Sequence, residues 1–157
     1  MSSSVRMNEK PIEIVRTSPE ETMELGVELG RLLVPGSVIV LSGPLGAGKT
    51  TLTKGIARAL GVTEEITSPT FTIVSEYLGK RPFHHIDLYR IGSEEEVLLL
   101  GLEEIIYGDG ISVVEWGEKV PSLFVDPVRI EISIAGENER RFVISGLPET
   151  LLKELHE

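Results

Sequence analysis

The chain has 157 residues, the size of one ordinary domain, and contains no cysteine. Without cysteine there is neither a disulfide framework nor a thiolate metal site. The formal net charge of −10 argues against a general nucleic-acid-binding surface, because such surfaces need clustered lysine and arginine. No apolar run approaches the roughly 18 residues that a membrane helix needs, so we expect no membrane segment and a cytoplasmic location.

The N-terminal part predicts a strand and a helix. Residues 1–10 are polar and lack the apolar centre of a secretory signal, so they predict a disordered leader before one domain over residues 11–157. Residues 12–15 predict a first strand. The helix-capping sequence Ser18-Pro19-Glu20-Glu21 predicts a helix that ends before Pro35-Gly36. Four leucines share one face of this helix: Leu25, Leu29, Leu32 and Leu33.

A glycine-rich loop follows the second predicted strand. Residues 43–50 read Gly-Pro-Leu-Gly-Ala-Gly-Lys-Thr, a full match to the phosphate-binding P-loop pattern G-x-x-x-x-G-K-[ST]. The β-branched run at residues 37–41 predicts a buried strand before the loop. Residues 50–60 predict a helix after it, closed by Gly61. Strand, loop and helix are the context that the motif requires, so a chance glycine-rich turn is the weaker interpretation.

The residue types of this loop match the chemistry of a triphosphate. Backbone N–H groups at a helix N-terminus point toward a bound anion, and glycines let the chain curl closely around it. Lys49 would reach the β- and γ-phosphates, and the Thr50 hydroxyl would ligate Mg²⁺. Guanine recognition usually requires Asn-Lys-x-Asp, but the asparagines of this chain, Asn8 and Asn138, do not precede a lysine. The sequence therefore favours ATP over GTP.

The rest of the chain predicts two hairpins separated by helices. Residues 71–77 and 83–88 predict the first hairpin, and residues 128–134 and 141–145 predict the second. Four further elements are predicted: a helix from Ser93 to about Leu100, a helical piece over 101–107, an apolar strand over 111–114 and a closing helix over 147–157. Together these elements indicate an α/β fold, a single P-loop NTPase-like domain whose mixed parallel and antiparallel central sheet is flanked by helices.

Two carboxylates are candidates for the acid that P-loop enzymes place opposite the loop to hold Mg²⁺ or orient water. Glu115 ends the most apolar strand, and ligands of open α/β sheets bind at the carboxyl ends of strands. Asp87 ends a more polar strand. The alternative for either side chain is a surface or helix-capping carboxylate. The sequence alone does not assign which of the two would hold Mg²⁺ and which would orient water.

Three other features carry weaker functional hypotheses. The hydroxyl-rich segment at residues 67–70 is either a switch that senses the γ-phosphate or, as its composition favours, a proline turn. His84 and His85 point to opposite faces of a strand, so they do not easily share one metal ion, and structural roles are favoured. Trp116 could stack on a base or anchor a partner, but core packing is the commoner fate of a single tryptophan.

Four segments of the chain together resemble one family. They are residues 43–51, Ser68-Pro69-Thr70-Phe71-Thr72, His85-Ile86-Asp87-Leu88-Tyr89-Arg90 and Glu115-Trp116, in this order. This set is similar to the TsaE family, the P-loop ATPases of bacterial tRNA N6-threonylcarbamoyladenosine (t6A) biosynthesis. The resemblance runs from about residue 18 to residue 141. Many families share the P-loop, whereas the His-x-Asp-Leu-Tyr-Arg segment and the Glu-Trp pair make the match specific.

The resemblance implies roles for individual residues. Asp87 would orient or activate the attacking water, Thr50 and Glu115 would serve the metal, and residues 68–70 would form a switch. The residues implied to bind ATP are Ser18, Leu45, Gly46, Ala47, Gly48, Lys49, Thr50, Thr51 and Arg140, with Arg141 as the alternative to Arg140.

The resemblance also implies partners and a process. Family members bind ATP and Mg²⁺, hydrolyse ATP and act with the TsaB and TsaD proteins, which modify adenosine 37 of tRNAs that read ANN codons. The TsaE protein does not transfer the threonylcarbamoyl group itself and would meet tRNA only through the complex. Two alternatives stay open, a small-molecule kinase and a nucleotide-gated binding module with negligible hydrolysis.

Overall fold

The computed structural model describes residues 11–44, 46–67 and 73–155. The strands are β1 (Ile12–Arg16), β2 (Val38–Ser42), β3 (Val74–Leu78), β4 (Pro82–Asp87), β5 (Ile111–Glu115), β6 (Val128–Ile134) and β7 (Arg140–Ser145). The helices are α1 (Pro19–Leu32), α2 (Lys49–Ala59), α3 (Glu94–Leu99), α4 (Leu102–Ile106) and α5 (Glu149–Leu152), with short 3-10 helices at Gly117–Lys119 and Pro121–Leu123.

The strands form one mixed sheet in the order β1-β7-β6-β2-β5-β4-β3. Strand β2 lies in the middle and pairs in parallel with β5 and β6, and β5 pairs in parallel with β4. The pairs β3–β4, β6–β7 and β1–β7 are antiparallel. This arrangement confirms the predicted mixed α/β fold and both predicted hairpins.

Helices cover both faces of this sheet, because alternate residues of its buried strands are apolar on both sides. On β5, Val113 packs into the cluster that contains Leu25 and Leu29 of α1. The next residue, Val114, packs into the cluster that contains Val97 of α3. All five of these side chains are at least 98% buried. The sheet is therefore the middle of three layers and is a rigid base for groups at its edges.

Helix α1 begins at the predicted capping sequence. The Ser18 hydroxyl accepts a hydrogen bond from the Glu21 N–H at 3.1 Å, and the Glu21 carboxylate accepts one from the Thr17 N–H at 2.7 Å. Both bonds satisfy backbone donors near the start of the helix. The cap fixes the position of Ser18, which is important because Ser18 lies beside the P-loop.

The packing of α1 on α2 depends on glycines. A Cβ on Gly26 of α1 would lie 2.3 Å from the Leu52 carbonyl oxygen and 2.9 Å from the Gly55 Cα. A Cβ on Gly55 of α2 would lie 2.2 Å from the Met23 carbonyl oxygen. The two backbones thus pass too close for any side chain. This contact ties α1 to the helix that begins at the P-loop.

A few boundaries differ from the sequence prediction. The predicted closing helix over 147–157 is only the four-residue α5, because the chain turns after Leu152 and buries Leu155 in the core. Strand β3 begins at Val74, and residues 71 and 72 of the predicted strand lie outside the described residues. The two 3-10 helices after β5 were not predicted. Across the described ranges, no helix combines the length and apolar character needed to cross a membrane.

We predict that Gly26→Ala lowers the free energy of unfolding by about 2 kcal/mol, although alanine by itself favours a helix by about 1 kcal/mol over glycine. The added methyl group meets backbone atoms that cannot rotate away. Denaturant unfolding would measure the loss. Gly136→Ala is the control, since its Cβ would be 3.5 Å from the nearest atom in an exposed turn. Equal stability of the two variants would contradict the argument.

Candidate functional site

The sheet brings the predicted site residues to one edge. Strands β2, β4 and β5 are parallel, so the P-loop after β2, Asp87 at the end of β4 and Glu115 at the end of β5 lie at the same edge. Asp87 and Glu115 are direct register partners. Strand β7 is antiparallel, so its first residue, Arg140, reaches this edge too.

A cleft of about 770 Å³ opens at this edge. Its volume is in the range of small-molecule sites. It is lined by Gly43, Pro44, Gly46, Gly48, Lys49, Thr50, Thr51, Asp87, Tyr89, Glu115 and Trp116. The cleft thus contains the loop, the predicted metal residues and both candidate carboxylates. Leu45 of the loop and the predicted switch at residues 68–70 lie outside the described residues.

The loop has the backbone of an anion site. Gly46 has φ +81° and Gly48 has φ +106°, in the left-handed region that side chains disfavour. Gly48 is the N-cap of α2 and forms no side-chain capping bond. The first N–H groups of this 11-residue helix therefore point toward the cleft with the positive end of the helix dipole. Such a terminus favours phosphate.

A buried ion pair links the loop to the end of β5. The Lys49 Nζ lies 3.4 Å from the Glu115 Oε1, and the His85 Nε2 lies 2.8 Å from the Glu115 Oε2. Glu115 is 7% exposed and His85 is fully buried. Both carboxylate oxygens thus have a partner, which offsets the cost of burying the charge.

The partners of Glu115 keep it ionised. Burial alone would raise the pKa of the Glu115 carboxyl. The hydrogen bond and charge of His85 act against burial, as does Lys49, and the net effect is a pKa below the usual value. Glu115 is therefore a carboxylate near neutral pH, the form that can accept hydrogen bonds or ligate a cation.

Asp87 is held by the chain that follows it. Its Oδ1 accepts a hydrogen bond from the Tyr89 N–H at 2.9 Å, and the Leu88 N–H donates to the Glu115 carbonyl at 3.0 Å. The side chain of Asp87 is half-buried and lines the cleft. Its carboxylate thus has a defined orientation and an open side toward the cleft.

Aromatic side chains form one wall of the cleft. The ring centroids of Tyr89 and Trp116 are 5.0 Å apart, and the Lys119 Nζ lies 5.4 Å from the centroid of the Tyr89 ring. Trp116 is 40% exposed and has φ +63°, which is a strained conformation for a tryptophan. The expectation that Trp116 packs in the core is therefore wrong. Its ring lines the cleft because the backbone turns sharply directly after Glu115.

A second cavity of about 130 Å³ adjoins the loop. Ser18 and Thr22 of the N-terminal end of α1 line it together with Ala47, Thr51 and Arg140. This cavity brings Ser18 next to the loop.

The two neighbouring arginines of β7 have different environments. An Arg140 terminal nitrogen lies 3.5 Å from the Gly46 carbonyl oxygen, and the side chain lines the second cavity. The Arg141 Nε instead lies 2.7 Å from the Glu13 carboxylate on β1. Alternation along the strand explains the difference. Of the two arginines that the sequence left open, Arg140 is the one beside the loop.

The oxygen groups in the cleft fit a Mg²⁺ ion that receives most of its oxygen ligands from a bound phosphate compound and water. Over the described ranges, no three His, Asp or Glu side chains are placed to hold one metal ion. Thr50 and Glu115 nevertheless offer a hydroxyl and a carboxylate in one cleft. Mg²⁺ prefers oxygen ligands and is usually bound by one or two side chains together with phosphates and water. The residues present therefore suit a metal that arrives with a phosphate ligand.

His85 is the site residue that sequence reasoning missed. The two histidines do point to opposite faces, as expected: His84 Nε2 lies 2.8 Å from a Glu76 carboxylate oxygen, whereas His85 contacts Glu115. Both histidines therefore have a carboxylate partner in the fold, and the partner of His85 is a residue of the cleft. The available signal was the alternation that places His85 on the same face as Asp87.

Comparison with known proteins gives a consistent result. The family described as "Threonylcarbamoyl adenosine biosynthesis protein TsaE" matches residues 16–143. The chain is similar to the tRNA threonylcarbamoyladenosine biosynthesis protein TsaE of Treponema pallidum, with 42% identity over 83% of this chain and 98% of the relative. It is also similar to the protein of that name from Bacillus subtilis, with 41% identity over 88% and 89% of the two chains. A crystal structure of Bacillus subtilis YdiB superposes with a TM-score of 0.75 and 34% identity, covering 98% of this chain and 97% of that one.

We predict that Arg140→Ala weakens the binding of the adenine nucleotide that the sequence favours about tenfold, because a charged hydrogen-bond donor beside the loop is lost. Arg141→Ala is the matched control, since it removes the same charge from the next residue and should change the affinity little. Titration calorimetry would measure both. Equal weakening by the two variants would indicate a general effect of charge and contradict the assignment.

A second prediction follows from the lowered pKa of Glu115. A carboxyl whose folded-state pKa lies below its unfolded value of 4.5 stabilises the fold above that value, and the contribution is lost as the pH falls through the folded-state pKa. The difference in free energy of unfolding between wild type and Glu115→Gln should therefore be largest at about pH 7 and shrink as the pH falls below 4.5. Denaturant unfolding across this range checks it. A difference that does not change with pH would count against a lowered pKa.

Proposed function

The chain belongs to the TsaE family, and from that premise we propose that it is a Mg²⁺-dependent ATPase of tRNA threonylcarbamoyladenosine biosynthesis. It would act in the cytoplasm with the TsaB and TsaD proteins in the threonylcarbamoylation of adenosine 37 in tRNAs that read ANN codons. It would not transfer the group itself. The observation that carries the proposal is the P-loop lysine in contact with Glu115, in a cleft that Asp87 also lines.

The loop would bind the triphosphate. Backbone N–H groups at the start of α2 and the Lys49 ammonium would surround the β- and γ-phosphates. Lys49 lies in the cleft beside Glu115, from where a side-chain rotation would bring it toward a ligand. Thr50 and Glu115 would hold Mg²⁺, which when bound would neutralise charge on the phosphates.

The chemistry would be in-line attack of water on the γ-phosphate. Asp87 would accept a hydrogen bond from this water and orient it, since one side of its carboxylate faces the cleft and its Oδ1 is fixed by the Tyr89 N–H. Lys49 and the loop amides would stabilise the charge that develops on the phosphate oxygens. Positioning and charge stabilisation are the main contributions that proteins make to phosphoryl transfer.

The adenosine end of the nucleotide would extend toward the second cavity. Ser18 and Thr22 lie there at the start of α1, and Arg140 lies beside Gly46. The glycine contact between α1 and α2 keeps this side close to the loop. A rigid wall at the adenosine end favours one orientation of the triphosphate across the loop.

The charge of the chain supports docking to proteins rather than to tRNA. A net charge of −10 favours a partner with basic surface and disfavours a large direct contact with tRNA. Contact with tRNA would then be indirect, through the TsaB–TsaD complex. Turnover by the protein alone would be weak if the partners must order residues 68–70, the proposed switch.

Two alternatives differ in the fate of the phosphate. A small-molecule kinase would transfer it to an alcohol, but such enzymes usually carry a basic lid, and between Arg58 and Arg81 the only basic residue is Lys80. A nucleotide-gated module would bind ATP and exchange partners without significant hydrolysis. Measurement of free phosphate, with and without the partners, separates these functions.

We predict that TsaB and TsaD together raise ATP turnover, and that Glu115→Ala and Asp87→Ala each lower the stimulated rate by at least about 100-fold, as expected when a group that binds the metal or orients water is removed. Release of inorganic phosphate with Mg²⁺ would be measured with and without the pair. Glu64→Ala is the control, because this exposed carboxylate lies outside the cleft.

Turnover that does not respond to the pair would contradict the proposed function. Phosphate found on an added alcohol would favour the kinase. Background turnover in the full complex, together with a Lys49→Ala variant that fails to assemble or release it, would favour the nucleotide-gated module.

A further inference from the structure

His85 is a fully buried residue whose ring reaches the cleft residue Glu115. It lies on β4, two residues before Asp87, and therefore points to the same face of the sheet. Strand β5 is parallel to β4, with Asp87 directly opposite Glu115. The histidine thus lies one step below this pair of carboxylates, in the layer between the sheet and α2.

The two oxygens of Glu115 are held in different ways. Oε1 faces Lys49 at 3.4 Å, and Lys49 is on the P-loop at the start of a helix. Oε2 is 2.8 Å from the Nε2 of His85, which is on a central strand of the sheet. A carboxylate only accepts hydrogen bonds, so the His85 Nε2 carries the proton of this bond. One oxygen is therefore paired with a residue that a ligand can attract, and the other with a residue that the core fixes.

We propose that His85 is the positioning residue of Glu115: its Nε2–H holds Oε2 so that Oε1 faces the metal position when Lys49 turns to the phosphates. This inference rests on the proposed function and extends it. A buried carboxylate that lost the Lys49 contact would still have the His85 Nε2–H to hold Oε2, whereas loss of both contacts would make its burial more costly.

The effect of a residue that orients a metal-binding side chain has a typical magnitude. Removal of a hydrogen-bonding group that orients a metal-binding side chain typically lowers metal affinity or activity by about 10- to 100-fold. The effect falls on the metal and on the rate rather than on the nucleotide, because His85 is not among the residues that line either cavity at the loop.

Three substitutions separate the hydrogen bond from packing. The amide nitrogen of His85→Gln can occupy the position of Nε2, whereas that of His85→Asn corresponds to Nδ1 and stops short of Glu115. His85→Leu keeps the volume but has no donor. His84→Leu is the matched control, since this neighbouring histidine is also buried and paired with a carboxylate, Glu76, but on the opposite face.

Two readouts do not depend on turnover. In the ligand-free protein with ¹⁵N-labelled histidine, the ring Nε2–H of His85 should exchange slowly with water, and Glu115→Ala should abolish this protection. With a non-hydrolysable ATP analogue bound, the affinity for Mn²⁺, followed by electron paramagnetic resonance, should fall about tenfold in His85→Leu and His85→Asn. His85→Gln and His84→Leu should stay within about threefold of wild type. The affinity for the analogue without metal should be the same in all variants.

The possible results separate this inference from the proposed function. If wild type binds nucleotide and Mn²⁺ but His85→Leu and His85→Asn bind Mn²⁺ equally well, the positioning role is overturned and the proposed function stands. If His84→Leu weakens Mn²⁺ binding as much as His85→Leu, the effect is general packing and the inference is again wrong. If wild type binds no Mn²⁺ with the nucleotide, the proposed function fails and this inference fails with it.

Discussion

The parallel pairing of β2, β5 and β4 is the constraint on which the site depends. It places the carboxyl ends of three strands at one edge, so the P-loop, Glu115 and Asp87 meet although they are up to about 70 residues apart in the chain. Register matters as much as direction. A slip of one residue between β4 and β5 would turn Glu115 and Asp87 to opposite faces, and the buried apolar residues of both strands prevent it by fixing which face is which.

The antiparallel part of the sheet completes the site from the other side. Strand β1 is antiparallel to β7, so its C-terminal end lies at the same edge and leads directly into the capped start of α1. The antiparallel pairing of β7 with β6 brings Arg140 to the loop. The close approach of Gly26 and Gly55 then holds α1 against α2. Elements that form the second cavity are thus positioned by backbone contacts and capping bonds rather than by long flexible side chains.

Local sequence determined what could be predicted. The P-loop backbone follows from its glycines, and the start of α1 follows from Ser18 and Glu21, because each feature needs only neighbouring residues. His85 and Arg140 are different, since the role of each depends on which strand lies beside its own. The sequence contains the alternation of β4 but not its pairing with β5, so it separates the faces of His84 and His85 without identifying the partner of His85. Trp116, the residue directly after Glu115, itself adopts a strained left-handed conformation, and residue types alone do not indicate this.

The buried ion pair between Lys49 and Glu115 couples the P-loop to the end of β5 electrostatically. Lys49 and Glu115 are 16% and 10% exposed at their side chains, so separating them in the absence of another partner would leave a poorly solvated charge on each. A phosphate ligand would compensate Lys49, and a cation would compensate Glu115, but neither ligand alone compensates both. Under the proposed function, nucleotide and metal should therefore each bind more tightly when the other is present, as reciprocal linkage requires. The hydrogen bond from His85 lowers the cost of burying an unpaired charge for Glu115 only. Before any ligand binds, the carboxylate of this pair is therefore stabilised independently of its partner, whereas Lys49 is not.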